Sequence, residues 1–290
     1  MVDLHIHTNA SSDGQHTPCE IFEMARMKKM KAIAFADHNS IDHIAEGIQR
    51  AGEYGIEFIP CLEINTFHNG LDLHLLAYFI DPQNSDLGKW LERIHQKKIE
   101  QAEKRLIKLN ELGFVFNAED LRKFSQDRIP TGMSFLQAIL SRGENHDDIR
   151  LRPYITGHRS NSPYVNFYCD YLRGGKPAFV HLEDIYTRDA IREIKRMGGV
   201  PVLAHPSDTG KDNILQLIES GLEGIEVYTP YHQVEEQEAF RIFAEAHDLL
   251  ITAGSDFHGK AVKPDIELGQ GGENHYELVF KLKQWWKEKQ

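Results

Sequence analysis

The sequence predicts an α/β fold: a (β/α) barrel in two pieces, interrupted by a helical insertion. Three observations carry that prediction. Short apolar runs alternate with helix-length segments at both ends of the chain. The alternation stops after Pro82 and resumes at Ala178. Finally, histidines and acids gather at or near the C-terminal ends of the apolar runs, the face on which parallel barrels build their sites.

Each element follows from the local pattern. Val2–His7 reads as the first strand and Pro18–Met30 as a helix. Ala32–Asp37 (AIAFAD) is a buried strand, and Ile41–Tyr54 is helical. Glu57–Glu63 (EFIPCLE) and Leu71–Phe79 (LDLHLLAYF) are the next strands. Trp90–Leu112 carries apolar residues at helical spacing and stops at Gly113. Ala118–Arg142 holds two shorter helices, while Asn161–Leu172 is polar and aromatic. The helix Asp189–Met197 ends at Gly198-Gly199 and feeds the strand Val200–Ala204. Ile214–Glu219 leads to Gly224–Tyr228, and Val234–His247 leads to Leu249–Ala253. The expected division is a barrel of residues 1–83 and 177–290 with an insertion of 84–176. Trp285-Trp286 reads as packing at the barrel bottom.

Composition narrows the function. The 290 residues carry 33 Lys+Arg against 44 Asp+Glu, a formal charge of −11, which argues against general electrostatic binding to nucleic acid. An enzyme acting on phosphates stays open, because bound dications reverse the sign locally. No apolar run approaches the roughly 20 residues of a membrane span, and the N-terminus does not read as a signal peptide. Cys19, Cys61 and Cys169 are too few and scattered for a disulfide framework or structural zinc site. A reducing cytoplasm and no membrane partner are expected.

The 16 histidines carry the chemistry. In Asp3-Leu4-His5-Ile6-His7 the period of two turns Asp3, His5 and His7 to one side of the strand. Asp13 follows in the next loop. Asp37-His38 ends the second strand, Glu63 the third, and His74 lies within the fourth. His205 follows Val200–Ala204, and Asp256-Phe257-His258 follows the last strand. Any one of these has a structural explanation, such as a helix cap at Asp37-His38. Their joint occurrence does not, since unpaired buried charge costs several kcal/mol per ion and divalent metals remove that cost.

As a set, Asp3-Leu4-His5-Ile6-His7-Thr8, Ser12-Asp13-Gly14, Asp37-His38, Glu63, His74, Ala204-His205-Pro206 and Gly254-Ser255-Asp256-Phe257-His258-Gly259 resemble the PHP (polymerase and histidinol phosphatase) family. The similarity is greatest to stand-alone members with a helical insertion, which include nucleotide phosphatases and 5′-to-3′ exonucleases. The resemblance implies a distorted seven-stranded TIM-like barrel and two or three divalent metals. His5 and His7 would bind the first metal with Glu63 and Asp256, and Glu63 would bridge to a second held by His74 and His205. Asp13, His38 and His258 would form the third site. Mixed imidazole and carboxylate ligands suit manganese, zinc or iron better than calcium; manganese is the expected ion, with zinc or iron as alternatives.

The implied reaction is hydrolysis of a phosphomonoester by metal-activated hydroxide. Asp256 is expected to orient or deprotonate the attacking water, with His205 and His258 as its catalytic neighbours. The expected partner is a small phosphorylated substrate: a nucleotide such as a 3′,5′-bisphosphate, or the 5′ end of a short oligonucleotide. Arg150, Arg152 and Arg159 are the expected substrate contacts, together with Ser207, and Arg159→Ala should raise KM or lower turnover. Ile129–Ser134 stands where related nucleotide-cleaving enzymes carry an Arg-Pro-His-like run. Glu226 is read as supporting the ligands rather than joining them, and His181, His232 and His275 as ordinary. Rival readings are a phosphatase of a non-nucleotide phosphate such as histidinol phosphate, a C–N hydrolase, and a non-catalytic regulatory barrel.

Overall fold

The computed structural model describes residues 1–289. The first half opens with β1 (Val2–Ile6), α1 (Pro18–Met27), β2 (Ala32–Phe35), α2 (Ile44–Tyr54), β3 (Glu57–Phe58), β4 (Cys61–His68) and β5 (Leu71–Tyr78). Helices α3 (Ser85–Glu111), α4 (Ala118–Ser125), α5 (Gly132–Leu140), α6 (Arg152–Ile155) and α7 (Pro163–Phe167) follow. The chain then returns to alternation through α8 (Thr187–Arg196), β6 (Val200–Leu203), α9 (Lys211–Glu219), β7 (Gly224–Tyr228), α10 (Val234–Ala246), β8 (Leu250–Ala253) and α11 (Tyr276–Lys287). Among the described residues, no helix is long and apolar enough to cross a membrane.

Local chemistry explains these boundaries. Thr17 caps α1 and Glu20 closes the reciprocal capping bond, with Pro18 in the first turn. Ile21, Phe22 and Ala25 are the face α1 buries. Every residue of β1 and β2 is buried, as expected of parallel strands covered on both faces. The single strand expected over 57–63 is instead divided at Pro60, which has no N–H to donate to a ladder. A two-residue turn, Asn69-Gly70, joins β4 to β5, with φ of 47° and 85°. That turn makes β5 antiparallel to β4, and β5 is antiparallel to β6 as well. The expectation of an all-parallel arrangement is corrected there.

The strands form two sheets, β1-β2-β3 and β4-β5-β6-β7-β8. Two parallel bridges connect them, Ile6 to Phe257 and His38 to Glu63. Both bridges pass through or beside candidate ligands, so the joint between the sheets is also where the ligands meet. Alternate residues of β2 divide between two apolar clusters: Ile33 and Phe35 join Phe22, Ile64 and Leu75, whereas Ala32 and Ala34 join Leu4, Tyr78 and Leu282. Trp285 and Trp286 pack against the second cluster, consistent with their predicted role.

A third apolar cluster, including Phe114, Phe135 and Phe167, is built from residues between Ala102 and Ala178. Helix α3 belongs to both regions. Its Leu87, Trp90, Leu91 and Ile94 pack with the sheets, while its Ala102 and Leu109 pack in the third cluster. A cavity of about 1020 Å³ lies between the strand ends and this helical region.

Candidate metal centre

Glu63 stands at the middle of the site. It is fully buried in β4, beside the bridge to His38. Its Oε1 lies 3.3 Å from His5 Nε2, 3.0 Å from His74 Nδ1 and 3.3 Å from His205 Nε2. Its Oε2 lies 3.3 Å from His7 Nε2 and 2.9 Å from His38 Nδ1. Asp256 Oδ1 lies 3.5 Å from His5 Nε2, 3.2 Å from His7 Nε2 and 3.3 Å from His258 Nδ1. Asp13 Oδ1 is 3.9 Å from His258 Nε2 and has no hydrogen-bond partner among the described residues. All nine sequence-derived ligand candidates therefore fall in one cluster. Three sets within it bring their donor atoms within 4.8 Å of one another: His5/His7/Asp256, His38/Glu63/His74 and His7/His38/His258.

The lone pairs are aimed by buried partners. His5 Nδ1 lies 3.1 Å from Glu226 Oε1, whose Oε2 accepts the His205 backbone N–H at 3.0 Å. His7 Nδ1 lies 3.2 Å from Ser11 Oγ, which itself donates to Asp37 Oδ1. These bonds leave Nε2 of each imidazole facing the two carboxylates, the arrangement in which outer hydrogen bonds fix a ligating tautomer. Asp37 also accepts from Thr8 N and Thr8 Oγ1, and Asp3 accepts from Ser255 N, Ser255 Oγ and Gly269 N. The sequence places Asp3 and Asp37 in the motif, outside the expected ligand sets, and assigns them no role. Their role is visible only once the loops that donate to them are in place.

Backbone geometry is strained at two of these residues. Asp256 has φ of 55° and His205 a φ of 28°, positions that side-chain-bearing residues adopt at a cost of about 1–3 kcal/mol. Gly254 is required two residues earlier, because a Cβ there would sit 2.3 Å from the His5 Cβ.

The electrostatics follow from burial and crowding. Burial pushes Glu63 up, but His74, His5 and His38 outweigh it and hold the carboxyl well below its usual range. Burial likewise opposes Lys263, His258 and His5 at Asp256, which also ends well below the ordinary value. Burial lowers His7, yet hydrogen bonds to Asp256 and Glu63 raise it to about 9. Burial, reinforced by His7 and Lys263, holds His258 well below its ordinary value. Two carboxylates thus face more imidazoles than they can satisfy, and dications occupying those lone pairs would do the work that protons do otherwise. Cys61, near the cluster, is pushed well up by burial and stays an inert thiol.

The expected substrate contacts divide. Ser207 lines the cavity, but Arg150, Arg152 and Arg159 do not. Arg150 pairs with Asp148 and packs over Phe114, and Arg159 pairs with Asp170. Arg152 lies exposed at the start of α6. The expectation is corrected for these three: nearby acids or solvent satisfy their charges away from the opening. Lys98 and Arg105, on the cavity side of α3, line it instead. Their spacing of seven, two helical turns, was the available sequence signal for a shared face. His181 and His275 pack against aromatic rings, and His232 Nδ1 lies 2.8 Å from the Val227 carbonyl, all outside the cluster.

The chain belongs to the PHP domain family, whose model matches residues 3–152, over half of the 290 residues. It is similar to the 3′,5′-nucleoside bisphosphate phosphatase of Chromobacterium violaceum, 27% identical over 267 residues that cover 89% of this chain and 87% of that protein. It is also similar to a 5′-3′ exoribonuclease of Haemophilus influenzae, 28% identical, with 88% of this chain and 89% of that protein covered. Among solved structures, an amidohydrolase of Chromobacterium violaceum with bound sulfate and no metal superposes with a TM-score of 0.75 at 26% identity, covering 92% of this chain and 90% of that one.

Proposed function

We infer that this chain is a metal-dependent phosphoesterase, a hydrolase acting on phosphoric ester bonds, and we propose a nucleotide carrying a second phosphate as its substrate. The observation that carries the reading is the convergence of seven imidazole and carboxylate groups around Glu63 and Asp256 at the wall of a cavity of about 1020 Å³. The bisphosphate phosphatase and exoribonuclease relatives support a phosphate-ester substrate. We further propose that the two bridged sheets form a distorted barrel over 1–83 and 177–290, with 84–176 as its cap.

We assign two or three divalent ions, manganese first, to His5, His7, Asp13, His38, Glu63, His74, His205, Asp256 and His258. When bound, such ions supply a nucleophilic hydroxide at neutral pH and neutralise phosphoryl charge. The chain's own residues supply the rest. Glu226 and Ser11 hold the tautomers of His5 and His7. Asp256 presents Oδ1 to His5, His7 and His258 and is assigned to orient the attacking water, with His205 and His258 as the other assigned catalytic residues.

The substrate claim rests on Lys98 and Arg105. Arg105 is 5% exposed, its Nε has no hydrogen-bond partner among the described residues, and it lines the cavity. A buried guanidinium with an unused donor fits a phosphate or carboxylate in geometry and charge. Burial and the neighbouring Arg105 lower Lys98 to about 7, a state that a bound anion would reverse.

The test is phosphate release from adenosine 3′,5′-bisphosphate by manganese-loaded protein, with chelated protein and His205→Ala as controls. Release that disappears in both controls is the expected result. No release from verified metal-loaded protein rejects this substrate and turns attention to oligonucleotide 5′ ends and non-nucleotide phosphates.

A further inference from the structure

Asp256 is held from both sides. Oδ1 faces His5, His7 and His258, whereas Oδ2 accepts from the Tyr231 hydroxyl at 2.8 Å and from Lys263 Nζ at 2.5 Å. Lys263 and Tyr231 also touch each other, the ammonium lying 5.5 Å from the ring centroid. The Tyr231 ring stands edge-on to His205 at 5.9 Å. Nothing in the ligand motif required either residue.

The segment that presents Lys263 is itself anchored. Val262 and Lys263 donate their backbone N–H groups to the Gly259 carbonyl, and Ile266 donates to that of Lys263. Val262 and Ile266 are buried, so this turn is pinned on both sides of Lys263. The Lys263 side chain is 15% exposed. A largely buried ammonium requires an anionic partner, and Asp256 is the carboxylate it reaches. A carboxylate on a single χ2 rotor can exchange its oxygens. Two donors on Oδ2 stop that exchange and commit Oδ1 to the histidine side.

We propose that Tyr231 and Lys263 are positioning residues: they clamp Asp256 Oδ2 so that Oδ1 is presented as a one-oxygen metal ligand. The inference rests on the reading of Asp256 as a ligand. It assigns to the turn after Gly259 a part in building the metal centre, through contacts of the kind whose loss weakens metal affinity by about 10–100-fold.

The experiment titrates manganese into chelated wild-type protein and into Lys263→Met, Lys263→Arg, Tyr231→Phe, Asp256→Asn and Asp256→Asn/Lys263→Met, with bound metal counted by elemental analysis. Lys263→Met is expected to weaken the Asp256-dependent site about tenfold or more, Tyr231→Phe by a smaller factor, and Lys263→Arg to recover most of the loss. In the Asp256→Asn background, Lys263→Met should add nothing, because the clamp acts through that carboxylate. In turnover assays kcat should fall with KM nearly constant.

Unchanged or tighter manganese binding in both Lys263→Met and Tyr231→Phe overturns the clamp. So does a full Lys263→Met effect in the Asp256→Asn background. Tyr231→Phe, which removes one oxygen, decides the matter if Lys263→Met does not fold. A wild-type chain that takes up no manganese instead overturns the reading of the metal centre, on which the clamp depends.

Discussion

The strand ends and the helical insertion solve the same problem, excess charge, in opposite ways. In the insertion, arginines find acids of their own: Arg142 pairs with Asp120, Arg150 with Asp148 and Arg159 with Asp170. At the strand ends, Glu63 and Asp256 face imidazoles that backbone position brings together. Long side chains in the turns between helices can swing to neutralise themselves, whereas short side chains at buried strand ends cannot. Unrelieved crowding is therefore the signature of chemistry here, and relieved charge is the signature of structure. Not every cation of the insertion is relieved in this way: Lys98, Arg105 and Arg128 line the cavity, as does Arg173, which pairs with Asp208.

Breaking the crowded side should have the largest effect. Glu63→Ala is expected to abolish metal loading and lower phosphoesterase turnover by at least about 10³-fold, read by elemental analysis and phosphate release. Turnover within tenfold of wild type would mean that Glu63 is a packing residue. Next comes its foundation. Asp37→Ala strips an acceptor from Thr8 and Ser11 at once and should cost about 3 kcal/mol or more in chemical denaturation, whereas Asp37→Asn, which keeps an oxygen, should cost less.

Proton linkage gives the third test. His7 is raised from 6.5 to about 9, so in chelated protein it carries a proton that favours the fold. That contribution is complete below pH 6.5 and is lost as pH rises through about 9. The melting temperature of chelated protein should fall across that interval while manganese affinity rises, since the metal competes with the proton. A melting temperature that stays level from pH 6.5 to 9.5 would contradict this account.

The insertion should yield smaller numbers. Lys98→Met is expected to raise KM for a bisphosphate about tenfold while changing KM little for a monophosphate, one charge-assisted contact being lost. Because Lys98 sits near 7, that KM should also climb as pH rises past neutrality, and Lys98→Arg should remove the dependence. Smallest of all is Arg159→Ala, within about twofold in KM, since its partner is Asp170 and the pair is partly exposed. An Arg159→Ala effect as large as that of Lys98→Met would return Arg159 to substrate recognition.

How much of this was legible beforehand differs by residue type. The strand and helix order was readable because β1, β2 and β7 are short, apolar and buried, and because Gly113 and Gly198-Gly199 mark stops. The candidate ligand cluster was readable because histidines and acids at strand ends have few other uses. The split at Pro60 and the Asn69-Gly70 turn carried signals that were available, and they decide that β4 and β5 run antiparallel.

Sequence alone determined the elements and the kind of chemistry, since periodicity and residue type are local properties. Only the tertiary structure decided which charges remain unpaired. Arg105 and Arg159 are the same residue type in the same insertion, yet one lies buried at the cavity with an unused donor and the other is tied to Asp170. Asp3, Asp37 and Asp256 are likewise the same residue type beside histidines, and they differ only in what the surrounding loops donate to them. Whether a charge is satisfied depends on neighbours distant in sequence, and folding is what brings those neighbours together.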